Sequence, residues 1–394
     1  MTLYEKRLIN ENHTAFYVFD ASELKQRIEW LQTHLPEETS LCFAMKANPF
    51  LVKELSVQVE RFELCSPGEA RICNSLGIPA KKMVISGVYK TPSVIDNMTA
   101  DSAFDAIFTV ESALQYQILR DSAKKYGRRL KVLLRLTNQS QFGMDTPEIE
   151  RIIANRKDCP ELRITGLQYF SGTQKTSVKK LRRELENLDR FMTELSRKYG
   201  YEADELEYGP GFPVAYFEDD KHDEDVYFRE FCDIIATMKN KPRLTLELGR
   251  SIAASCGRYY THIVDIKRNA GQNYLITDGG MHQIVYYGQH MAMKQPILHI
   301  VGKHDVNRDI RWNICGALCT MNDILAKQVC LPDVAVGDTV CFENAGAYCM
   351  AEGISLFLSR ELPAVWLAPE DDEPFMMREP HPTDVLNTPH YERL

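Results

Sequence analysis

The chain has 394 residues, 44% apolar and 26% charged, with a net charge of −8 at pH 7. That length suits two domains, or one barrel with a companion, and the composition is that of a soluble globular protein. The acidic balance and the lack of any basic cluster argue against a nucleic-acid partner. With no apolar run of 18 residues and no charged-then-apolar leader, neither a membrane span nor secretion is indicated, so a cytoplasmic location is expected.

In chain order, a short apolar strand is predicted over 17–19 and a helix over 21–34. The apolar run L-C-F-A-M at 41–45 comes next, broken by Asn48-Pro49, with Lys46 standing at its end. This is the profile of a buried strand that opens into a loop. The alternation then repeats. Strands are expected at 62–65, 83–86, 106–110, 131–136, 164–169, 205–208 and 243–246, with helices at 51–58, 68–76, 112–126, 147–153 and 176–198. About eight such units predict a parallel (β/α)8 barrel, placed at 18–250. After Arg250 short strands separated by turns such as Asp278-Gly279-Gly280 predict a β domain, a sandwich or small barrel formed by 1–17 and 251–394. The stretch 369–394, rich in proline and acid, is expected to be a surface tail.

Eleven cysteines are scattered, several inside apolar runs where a reduced cysteine acts as a small hydrophobe. Cys315 and Cys319 are spaced C-x3-C and five histidines from His262 to His304 lie nearby in sequence. No second cysteine pair completes a zinc site, so no metal is expected.

Chemistry in such a barrel sits at the C-terminal ends of the strands. Lys46 there either snorkels to water or is held with a depressed pKa, as Schiff-base lysines are. The strand ending at Cys65-Ser66-Pro67-Gly68-Glu69 offers polar groups, Arg135 a cation, and Y-F-S-G-T-Q at 169–174 a ring and hydroxyls. The loop Gly209-Pro210-Gly211-Phe212 can turn backbone N–H groups toward a phosphate, though a tight turn alone would explain it. Glu247 at an apolar strand end needs a partner, and the adjoining Gly249-Arg250 can approach an anion. Together these groups suggest pyridoxal 5'-phosphate, with Lys46 as its anchor and Glu247 on the pyridinium nitrogen, hence carbanion chemistry at Cα.

Seven blocks carry a resemblance: F-A-M-K-A-N (43–48), F-E-L-C-S-P-G-E (62–69), S-G-T-Q (171–174), G-P-G-F (209–212), E-L-G-R (247–250), G-A-L-C-T-M-N-D (316–323) and N-A-G-A-Y (344–348). In this order they resemble the fold-type III pyridoxal-phosphate decarboxylases of ornithine, arginine and diaminopimelate, with an alanine-racemase-like barrel. The resemblance implies that Lys46 binds the cofactor, that Thr173, Gly211, Arg250 and Tyr348 hold its phosphate and that Glu247 faces the ring nitrogen, with Glu63, Arg135, Phe170, Gly209 and Gly249 also lining the cofactor site. It also implies a homodimer in which the β domain of one chain completes the site of the other. Cys319 would then reprotonate Cα, and Thr320, Asp323 and Tyr348 would face the substrate.

Three departures stand out. Phe170-Ser171-Gly172-Thr173 replaces the family's H-V-G-S segment, exchanging a stacking imidazole for an apolar ring. Glu63 replaces an aspartate. Thr320 stands where ornithine-type enzymes carry Asp and diaminopimelate-type enzymes Glu to receive a distal ammonium, so a free diamino acid would lack its usual anchor unless Asp323 or Glu352 supplies one. The last points to the branch of siderophore and antibiotic-pathway decarboxylases, whose substrates include conjugated or carrier-bound amino acids. A racemase is the alternative, disfavoured because Glu247 strengthens the electron sink; a non-catalytic cofactor-binding relative has no chemical need for Lys46 and Cys319.

Overall fold

The computed structural model describes residues 3–307 and 309–390, with side chains from Glu5 onward. It divides into two compact units, one of residues 28–213 and 222–252, the other of residues 1–27, 214–221 and 253–394.

Among the described residues the strands, in chain order, begin with β1 (Phe16–Asp20), followed by β2 (Ser40–Ala44), β3 (Arg61–Leu64), β4 (Met83–Ile85), β5 (Ile107–Val110), β6 (Leu130–Arg135), β7 (Leu162–Phe170), β8 (Glu205–Gly209) and β9 (Arg243–Leu248). Strands β2 to β9 close into a parallel eight-stranded barrel, with β9 returning to pair with β2. Their runs are nearly all buried, as parallel strands covered by helices must be. The intervening helices are punctuated by local chemistry. Ser66 caps helix Pro67–Ser75 by accepting from Glu69 N–H, with proline at the first turn, and Ser112 does the same for Ala113–Lys125. Gly200, at φ 56°, ends the long helix Val178–Tyr199 in the left-handed conformation that glycine adopts most readily. Cys42, Val84, Ile107 and Leu133 fill one level of the barrel. Near its N-terminal end Glu205 is paired with Arg61 and Arg243 and accepts from Thr245.

The second unit is built on a mixed sheet of nine strands: β1 with β10 (Gly257–Asn269), β11 (Gln272–Thr277), β12 (Leu298–Ile300), β13 (Arg311–Cys315), β14 (Ile324–Cys330), β15 (Thr339–Phe342), β16 (Ala364–Ala368) and β17 (Phe375–Arg378). Its core gathers Leu8, Phe16, Val18, Tyr260, Cys341, Ala364 and Trp366. The Phe16 and Tyr260 rings stack at 4.9 Å, and each such side chain withdrawn from water is worth about 1.5–3 kcal/mol.

Two sequence expectations change. The barrel, placed from residue 18, begins at β2: the strand predicted at 17–19 is β1, which pairs with β10 and β16 in the sheet. Flanked on both sides, it is as continuously apolar as a barrel strand, so only pairing tells them apart. The tail also contributes structure: β17 pairs with β16, and helix Asp384–Asn387 follows. Residues 391–394 lie outside the described residues.

Candidate active site

The barrel brings Lys46 between two acids because β2 lies between β3 and β9. Ala44 is in register with Glu63, and Cys42 with Glu247. Lys46 occupies a single 3-10 turn after β2 (Met45–Ala47), and its Nζ reaches Glu63 Oε2 at 2.5 Å and Glu247 Oε1 at 3.6 Å. The Cys65 thiol donates to the other Glu63 oxygen at 2.9 Å. Gln168 Nε2, from β7, donates to Glu247 Oε2 at 2.8 Å.

Both carboxylates are buried, and burial by itself favours the protonated form of each. At Glu63 that penalty is overcome by the Lys46 charge and by hydrogen bonds from Cys65, Lys46 and Ser86, so its carboxyl lies below the ordinary value. At Glu247 burial is reinforced by the Glu63 charge and only partly offset by Lys46, Arg135 and Gln168, so its carboxyl lies above. One cation thus stabilises one carboxylate, and the second holds its proton more tightly.

Arg135, at the end of β6, places Nη1 3.0 Å from Glu111 Oε1 and its guanidinium over the Phe142 ring. Close by, Lys90 donates to Gly87 O at 3.1 Å and Gln115 Oε1 at 3.2 Å. Burial lowers its pKa to about 8, with Glu111 opposing the shift.

The loops after β7, β8 and β9 form a cup. Arg250 Nε donates to Thr173 Oγ1 at 3.1 Å. Gly211 has φ 63°, and a Cβ there would overlap the Gly172 carbonyl oxygen; a Cβ on Gly209 would overlap the Phe170 ring. The glycines are therefore required by close approach of two loops. Gly249 stands directly before Arg250 at the end of β9.

These residues fit pyridoxal phosphate. A lysine is poised between carboxylates, a hydroxyl and a guanidinium converge in a glycine-lined cup, and Gln168 Oε1 and Arg135 Nε are buried without a hydrogen bond. Bound there, the cofactor supplies an electron sink for the bonds at Cα.

The remaining predicted residues belong to the sheet unit. Cys319 is exposed and Thr320 partly so, in the turn between β13 and β14. Tyr348 is partly buried with φ 65°, a left-handed conformation uncommon for a non-glycine residue. Asp323, expected to face the substrate, makes contacts within its own unit. It is buried, and its two oxygens accept Met281 N–H at 2.7 Å and Leu318 N–H at 2.8 Å, clamping two loops of its own chain.

Sequence reasoning missed Gln168, Glu111, Lys90 and Glu207. Glu111 follows β5 directly, so the strand-end question put to Lys46 would have found it. Gln168 and Glu207 lie inside strands, where only the inward-facing period marks them.

Residues 16–346 match the family model described as pyridoxal-dependent decarboxylase, C-terminal sheet domain. Diaminopimelate decarboxylase of Aquifex aeolicus is 26% identical over 363 residues, covering 87% of this chain and 84% of that protein. The L-glutamyl-[BtrI acyl-carrier protein] decarboxylase of Niallia circulans is 24% identical over 401 residues, covering 95% and 93%. In fold, the chain superposes on diaminopimelate decarboxylase of Helicobacter pylori complexed with L-lysine with a TM-score of 0.84, at 19% identity and covering 97% and 98%. With the family model spanning most of its length, the chain belongs to the pyridoxal-phosphate-dependent decarboxylases, enzymes that remove a carboxylate from an amino acid.

Proposed function

We propose that the enzyme acts on an amino-acid conjugate, free or carried on a protein, instead of a simple diamino acid. The observation that carries this reading is the turn after β13. Thr320 beside Cys319 is uncharged, and the nearby Asp323 carboxylate is spent on backbone N–H groups, so this block presents no free carboxylate to a distal ammonium. The carrier-protein relative supports the same direction, being named for a glutamyl group on an acyl carrier protein.

In this reading Lys46 anchors the cofactor, and Thr173, Gly209, Gly211, Gly249, Arg250 and Tyr348 bind its phosphate. Glu247, oriented by Gln168, faces the ring nitrogen, where a carboxylate favours the protonated, electron-withdrawing ring. Glu63 holds the Lys46 ammonium while that amine is free. Phe170 supplies an apolar wall beside the cup, and Arg135 lies beside the ring. Cys319 of a second copy of the chain delivers a proton to Cα after carbon dioxide departs, which makes the working unit a homodimer. The location is assigned to the cytoplasm.

The test is carbon dioxide release from diaminopimelate, lysine, ornithine, arginine, glutamate and their amide or thioester conjugates. Turnover of a conjugate at least about tenfold above every free amino acid, about 1.4 kcal/mol of discrimination, is expected. Efficient turnover of a free diamino acid would overturn the assignment.

A further inference from the structure

The loop carrying Thr173 is strained. Within three residues Gly172 has φ 124° and Gln174 φ 54°, the latter in a region that non-glycine residues avoid. Such a conformation persists only where its surroundings over-determine it, and here both ends of the loop are tied to one carboxylate. At one end Ser171 Oγ donates to Glu184 Oε1. At the other Lys175 Nζ donates to Glu184 Oε2 at 2.8 Å, and Tyr208 OH, from β8, donates to the same oxygen at 2.7 Å. Glu184 lies on the inward face of helix Val178–Tyr199, and Lys175 and Glu184 are both buried.

The Lys175 backbone joins the two cup loops. Its N–H donates to Gly211 O at 2.9 Å, and its carbonyl accepts Tyr227 OH at 2.6 Å. The Tyr208 ring stacks on Tyr169 at 6.3 Å and lies under the Lys175 ammonium. A buried ion pair is often no more stabilising than apolar side chains of equal volume; what it adds is direction. The direction fixed here is that of Gly172-Thr173-Gln174 against Gly211, and so of the hydroxyl that meets Arg250. Ser171, one of the departures from the family's H-V-G-S segment, is accounted for as a member of this network.

We propose that Glu184 and Lys175, with Ser171 and Tyr208, are positioning residues that hold the phosphate cup in its binding shape and thereby set cofactor affinity. This rests on the reading of Thr173, Gly211 and Arg250 as the phosphate site. They act through the loop and touch neither substrate nor the reacting atoms.

The test is titration of apo-protein with pyridoxal phosphate, followed by absorbance, on Glu184→Gln, Lys175→Met, Tyr208→Phe and Arg250→Met. Folding is checked by circular dichroism, and kcat is measured at saturating cofactor. Glu184→Gln and Lys175→Met should raise the cofactor Kd by about tenfold or more and leave kcat within about threefold, because the loop and not the reacting centre is loosened. The 31P resonance of the bound phosphate should broaden in the same variants. Tyr208→Phe, which removes one hydroxyl and keeps the ring, should fold normally and show a smaller rise. Unchanged Kd in folded Glu184→Gln and Tyr208→Phe, with Arg250→Met weakened, overturns the positioning role alone. Unchanged Kd in Arg250→Met as well overturns the phosphate site, and this inference with it. A fall in kcat at unchanged Kd also overturns it.

Discussion

Lys46 and Glu247 stand 3.6 Å apart across neighbouring strands, while Glu63 holds the same ammonium at 2.5 Å from the other side. One cation therefore serves two buried carboxylates, and the more distant one is left with raised proton affinity. Replacing Glu247 with Gln keeps the shape and the Gln168 neighbour but removes the acid proposed to face the ring. Decarboxylation at saturating cofactor should fall by about 100-fold, the scale of losing one preorganised group at a reacting centre. Lys46→Ala should abolish it. Carbon dioxide release checks both.

Glu207 sets a pH dependence of stability. It is fully buried inside the barrel, neither carboxylate oxygen has a hydrogen-bond partner, and burial, then Glu247 and Glu205, push its carboxyl well above the ordinary value. An acid with a raised folded pKa is protonated in the native state and ionised in the unfolded chain once pH exceeds the unfolded value. Stability is then lost as pH rises from the unfolded pKa toward the folded one, by about 1.4 kcal/mol per pH unit. Thermal melts of Glu207→Gln between pH 5 and 8 should lack this decline and fall less steeply than wild type.

How much of this was legible in the sequence follows from what periodicity encodes. The barrel strands are apolar runs flanked by helices, and Lys46, Glu247 and the glycine loop lie at their ends, so alternation alone places them together. Pairing partners are not encoded locally, which is why β1 resembles a barrel strand and joins the sheet. Glu184 was hidden for a related reason. On a helix with many charges, one glutamate on the inward face looks like any surface acid until Lys175 and Tyr208 meet it.

Asp323 should behave as a structural clamp. Asn in its place cannot accept both the Met281 and Leu318 N–H groups with its amide nitrogen, leaving one buried donor unsatisfied. The expected cost is about 1–3 kcal/mol, seen as a lower melting temperature. The KM for the substrate should change little in the folded variant. A large rise in KM at unchanged stability would return Asp323 to the substrate.

Cys319 offers the sharpest check of the proposed shared site. It is exposed on a turn, where a thiol has no packing role to explain it. Cys319→Ala should lower kcat by about 100-fold, the range for losing a general acid, and leave the melting temperature within about 1 °C, as for a surface substitution. If Lys46 and Cys319 meet across a two-fold axis, inactive Lys46→Ala and Cys319→Ala proteins, mixed and allowed to exchange subunits, form hybrids. Each hybrid carries one site with both residues intact and one with neither. With random pairing half the dimers are hybrids, so activity should return to about a quarter of wild type, as two-fold symmetry requires. A mixture that stays inactive although sedimentation shows exchanged dimers would place both residues in sites formed within one chain.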